Sequence, residues 1–201
     1  MHTIDLRSAH ARAVRATVPV VARIRPPDLS RPTPCTDWDL GRLLAHMTAQ
    51  HRGFAAAAAG RGGDPDVWPP RPLADDPVRE YAQAAESVIA AFAEPGVLDR
   101  DLLLPEITPR PLPARLALGF HLVDYVVHGW DVARTLGLAY TLPPDVLAAA
   151  LPVAEAVPTG EARLAPGAAF APPVPDPGDD PLHRILALLG RDPAESVVPR
   201  G

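Results

Sequence analysis

Apolar side chains recur every three or four residues through four long stretches of this chain, the period of helices that bury one face. Leu6, Ala13, Val14, Val18, Val21 and Ile24 set that period over residues 3–25, and Pro26-Pro27 stops it. Leu40, Leu43, Leu44, Met47 and Phe54 carry a second helix. Thr36, with Asp39 three positions on, reads as its capping box, aspartate standing for the usual Glu or Gln. The glycine-rich residues 60–63 close it, and a proline-rich loop with Trp68 follows. A third helix fits residues 75–93, with acids in its first turn and Pro95-Gly96 beyond its end. The fourth, residues 113–135, aligns Leu116, Phe120, Val123, Val127 and Val132 on one stripe and ends before Gly137, which reads as its C-terminal cap.

Shorter helices are predicted at 143–156 and 181–189, the last closed by Gly190. Residues 97–112 are broken by Pro105, Pro109 and Pro111 and read as loop or short extended structure. Residues 158–180 hold many of the 27 prolines, yet the spacing of Leu164, Phe170 and Val174 predicts a segment laid on the protein rather than a free linker. The expected fold is all-α or nearly so, a four-helix bundle with short additional helices and a Pro-rich C-terminal segment. The expected organisation is a bundle domain over 1–157 and an extension over 158–201 packed on the same domain. At 201 residues the chain is long enough for one substantial core.

Composition narrows the function classes. The chain is 47% apolar and 21% charged, as globular proteins are, and its net charge of -5 argues against nucleic acid and anionic membrane as partners. No stretch approaches the ~20 apolar residues of a membrane span. The N-terminal residues alternate apolar and charged without an export-signal core. Cys35 is the single cysteine, so no internal disulfide forms, and a reducing cytoplasm is the expected compartment. The chain has no lysine, which removes Schiff-base chemistry.

The fourth helix carries the candidate chemistry. His121, Asp124 and His128 are spaced three and four apart, so they project from one face among Val123, Val126 and Val127. A carboxylate and an imidazole on adjacent turns of a half-buried helix suit a metal ion, and equally suit an Asp–His hydrogen bond. A third ligand has to come from elsewhere. His46, set among Leu43, Leu44 and Met47, is the candidate; His51 is rotated from it by roughly 140°. Spacing alone leaves His46 open between a ligand and an ordinary core or surface histidine.

Three motifs add a resemblance. Pro32-Thr33-Pro34-Cys35-Thr36-Asp37-Trp38-Asp39-Leu40, running into Leu43-Leu44-Ala45-His46, resembles the N-terminal motif of the actinobacterial maleylpyruvate isomerase-like proteins. These belong to the DinB-like superfamily, with the mycothiol-dependent enzymes. Val126-Val127-His128-Gly129-Trp130-Asp131-Val132-Ala133 resembles the group's second motif, and Leu186-Ala187-Leu188-Leu189-Gly190-Arg191-Asp192-Pro193 its usual ending. The resemblance implies a DinB-like bundle with a divalent metal on His46, Asp124 and His128. The acid is usually glutamate in this group; Asp124 is one methylene shorter, which leaves room for His121 as an additional ligand.

Two nitrogens and one carboxylate oxygen leave open coordination positions, the pattern of a catalytic site. Zn2+ is the default, and Ni2+, Fe2+ or Mn2+ suit the same donors. Asp131, three residues beyond His128, is placed to orient its ring, though a solvated helix charge is an equal reading. Trp38 and Trp130 read as packing residues. Cys35 sits before a helix N-terminus, where the dipole would lower its pKa, but it reads as structural. Arg42, Arg52, Arg79 and Arg134 read mostly as solvated helix faces, one or two of them able to bind a substrate carboxylate. The resemblance implies metal-activated thiol chemistry, S-transfer or isomerisation, on a small electrophilic metabolite with mycothiol as co-substrate. A metal-binding protein without thiol chemistry stands beside it: a metal-water hydrolase, a secondary-metabolite tailoring enzyme or a non-catalytic stress-linked module. Either is expected to act as a monomer or homodimer.

Overall fold

A computed structural model of the chain describes residues 5–35, 38–165, 168–175 and 178–194. Among the described residues, aspartate caps open four α-helices and prolines open the other two. Asp5 accepts from the Arg7 amide and opens α1 (Leu6–Val21). Asp39, accepting from the Arg42 amide, opens α2 (Leu40–Ala58). Asp76 caps α3 (Pro77–Ala93), and Asp180 caps α6 (Pro181–Leu188). Prolines lead into α4 (Ala114–Leu136) and α5 (Pro144–Ala156), and Gly137 closes α4 in the left-handed conformation. Aspartate oxygens satisfy orphan amides that the first turn leaves free.

Helix α1 packs on α3 and α4, and α2 packs on the same two, so the four long helices form a closed bundle. Its interior holds Val14, Leu43, Leu44, Met47, Tyr81, Phe92, Leu118 and Tyr125. A second apolar cluster joins α5 and α6 to the outer sides of α1 and α4 through Leu122, Val126, Trp130, Val146, Ile185 and Leu186. Helix α4 is therefore covered on both sides and buried along most of its length. The loop between α3 and α4 pairs β1 (Asp101–Leu102) antiparallel with β2 (Leu112–Pro113). Trp68, buried in the loop after α2, lies flat against Gly53, where a Cβ would come within 2.3 Å of its ring.

The expected all-α bundle is thus found, with differences at the edges. Asp5 and residues 22–25 fall outside α1, residues 3 and 4 lie outside the described residues, and a 3-10 turn, Pro26–Ser30, occupies the connector. The cap of α2 is Asp39 rather than Thr36, which lies outside the described residues; the helix starts later because Asp39 reaches the Arg42 amide. Leu116 does not join the buried stripe: it is 47% exposed, in the first turn of α4 before α5 and α6 cover that helix. Leu164 is likewise exposed, whereas Phe170 packs against the second cluster.

Candidate metal centre

Two helices bring the site together. His46 projects from α2; Asp124 and His128 project from adjacent turns of α4. The helices are tied at this level by the Tyr125 hydroxyl, which donates to the Met47 carbonyl, so the residue beside Asp124 holds the residue beside His46. One ligand atom from each of His46, Asp124 and His128 lies within 4.8 Å of the other two. The two imidazoles meet edge to face, 5.3 Å between centroids. Nε2 of His128 lies 3.3 Å from Asp124 Oδ1, and its Nδ1 hydrogen-bonds to Asp131 Oδ2 at 2.9 Å. With Nδ1–H donated to a carboxylate, Nε2 is the nitrogen that faces the triad.

Burial and neighbouring charges set the protonation of the three side chains. His46 is pushed down to about 4 by burial, with His128 adding to the effect against the pull of Asp124. It therefore presents a lone pair at neutral pH. Burial also opposes charge on His128, but Asp124 and Asp131 outweigh it and hold the ring up at about 9. Burial works against Asp124 too, yet His128, His46 and Arg191 keep its carboxyl below the ordinary range. The field at the triad favours one positive charge, and a divalent ion with oxygen and nitrogen ligands suits that donor set. Asp124 is 24% exposed, so the triad is open on one side. Trp38, partly buried, walls another: its ring lies 4.6 Å from that of His46 and 6.3 Å from that of His128.

His121 is directed elsewhere. It is fully buried and hydrogen-bonded between two other histidines, to His10 Nε2 at 2.9 Å and His51 Nδ1 at 3.3 Å, with its ring stacked on Tyr125. One turn of α4 below Asp124 the helix faces α1 and the middle of α2, so the shared helix face expected from spacing divides between two neighbours. Of the arginines singled out, Arg52 pairs with Glu80 and Arg134 lies over the Trp130 ring. The guanidinium beside the triad is Arg191, which sequence reasoning passed over inside the C-terminal motif.

Cys35 lies closer to this chemistry than its position before α2 suggests. Its sulfur, His128 and Asp131 form a second group with ligand atoms within 4.8 Å of one another. Arg191 supplies a positive charge there, paired with Asp131, which disfavours a metal ion at that group. Because α2 opens only at Leu40, no helix dipole lowers the thiol; burial pushes it up to about 12. Cys35 is therefore expected to react slowly with a disulfide reagent in the native protein at neutral pH and rapidly after unfolding in urea. Full reaction of the native protein within the unfolded protein's time course would contradict that environment.

The chain is thus a helical bundle in which two imidazoles and a carboxylate from two helices meet. Residues 10–133 match the family described as the mycothiol maleylpyruvate isomerase N-terminal domain, and the chain belongs to that family. Uncharacterized proteins from two strains of Mycobacterium tuberculosis are 30% identical over 189 residues, covering 94% of this chain and 98% of theirs. A crystal structure of the mycothiol-dependent maleylpyruvate isomerase shares the fold with a TM-score of 0.53. It is 15% identical, the likeness covering 73% of this chain and 67% of that one. No helix among the described residues is long and apolar enough to cross a membrane.

Proposed function

We propose that His46, Asp124 and His128 hold one divalent ion, Zn2+ by default, and that the protein performs thiol chemistry on a small electrophilic metabolite with mycothiol as co-substrate. The observation that carries the metal reading is the convergence of the three donors within 4.8 Å, on a side of the bundle left partly open. Family membership supports the choice of thiol. When bound, such an ion supplies Lewis acidity that favours the thiolate over the thiol and holds it at an open position. His46 contributes a neutral nitrogen, Asp124 the balancing charge, and His128 the nitrogen whose ring Asp131 orients. Trp38 limits water on one side. The chemistry calls for a reducing cytoplasm, where a free thiol persists.

Metal analysis of the purified protein, followed by calorimetric titration with mycothiol, tests both parts. Mycothiol binding that disappears after chelation is the expected result. A metal-loaded protein that does not bind mycothiol would leave the metal site standing and remove the thiol chemistry, in favour of metal-water hydrolysis or a binding role. A purified protein that neither retains nor takes up a divalent ion would remove the metal site itself.

A further inference from the structure

The C-terminal segment enters the site through one side chain. Helix α6 ends in a Schellman turn: the Gly190 amide donates to the Ala187 carbonyl at 3.1 Å, and the Arg191 amide to Leu186 at 2.9 Å. Gly190 has φ +78, and a Cβ there would lie 2.7 Å from the Ala171 side chain and 2.8 Å from its carbonyl oxygen. Only glycine makes this turn so close beneath the neighbouring segment. The residue after such a turn usually packs an apolar side chain back on the helix. Here it is Arg191, 4% exposed and directed at α4.

Its guanidinium grips Asp131 with two groups, Nη2 to Oδ2 at 3.1 Å and Nε to Oδ1 at 3.4 Å. Nη1 donates to the Leu189 carbonyl at 3.0 Å, and Phe170 lies over the group at 5.9 Å. Asp131 is fully buried, and its Oδ2 also takes the His128 Nδ1 bond. A buried carboxylate has a fixed plane only if its partners fix it, and a planar two-point fork does that where a single bond allows rotation. Removing the fork leaves the carboxylate free to turn, and with it the imidazole.

We propose that Arg191 is a positioning residue: through Asp131 it sets the ring of His128, so that the C-terminal segment completes the metal centre. This rests on the reading that His128 is a metal ligand. Orienting partners of metal-bound histidines change metal affinity by about 10- to 100-fold. The same loss is expected when the fork is removed.

The test uses the full chain stripped with chelator and titrated with Co2+, whose visible spectrum reports ligand geometry. Wild type is expected to bind with a defined spectrum. Arg191→Met should weaken binding about 10- to 100-fold and alter the spectrum. Arg191→Lys, which keeps the charge but not the fork, should restore only part of the affinity. It decides the matter should Arg191→Met fail to fold, as judged by circular dichroism of the metal-free protein. Folded variants with wild-type affinity and spectrum would overturn the role of Arg191 while leaving the metal centre intact. Wild type that binds no Co2+ would overturn both.

Discussion

Alanine at His46, Asp124 or His128 is expected to reduce the bound metal from a single ion per chain to background, with the helical fold retained. Each change removes one of three donors, so the loss should exceed the roughly 10- to 100-fold typical of second-sphere partners. Thermal stability follows by linkage. Metal at about 100 to 1,000 times its Kd adds about 3 to 4 kcal/mol, which corresponds to roughly 6 to 16 °C in a domain of this size. Strong chelator should therefore lower the melting temperature of the wild type by that amount and leave the three variants unmoved. Asp124→Glu supplies the longer acid usual in the resembling group and should keep metal and chelator sensitivity. A chelator-sensitive His128→Ala would show that the ion sits elsewhere.

Mild acid is expected to unfold the metal-free protein through the histidine cluster beside the site. His10, His51 and His121 are buried and linked by hydrogen bonds, and burial lowers all three, His10 to about 3. The folded state thus leaves them neutral where the unfolded chain, with pKa values near ~6.5, takes up protons. Above that pH neither state is charged and their contribution is intact. Below it, each proton that the unfolded chain binds and the fold refuses lowers stability by roughly 1 kcal/mol per pH unit, so the loss steepens with every histidine of the cluster that stays neutral. A domain stable by roughly 5 to 15 kcal/mol should then lose its fold between about pH 5 and 3. His128 runs the other way: its raised pKa stabilises the metal-free fold below pH ~6.5, and that part is lost as the pH climbs through about 9. Far-ultraviolet circular dichroism against pH checks the acid limb. A melting temperature that does not fall between pH 6.5 and 4.5 would mean that the cluster accepts protons within the fold.

Local chemistry along the chain was enough for the helices, because a helix is written in contacts three and four residues apart. The apolar period, prolines and closing glycines located α3 to α6 closely; α1 and α2 were less sharp at their ends, because the apolar period runs on through Ile24 past Val21 and because both Thr36 and Asp39 can cap α2. The pairing of Asp124 with His128, and of His128 with Asp131, was legible for the same reason: both lie on one helix at spacings of four and three. What the residues by themselves left open was every relation between helices. His46 and His51 both sit among apolar neighbours on α2, and only the packing of α2 on α4, tied by Tyr125 to Met47, brings His46 to Asp124 and takes His51 to His121. The same packing separates His121 from Asp124 although they share a helix face. Arg191 is 60 residues from Asp131, and Cys35 is farther still from His128. No local period encodes those meetings, because the chain ends of α6 and α2 are delivered to α4 by the burial of Leu182, Ile185 and Leu186 on one side and of Leu40, Leu43 and Leu44 on the other.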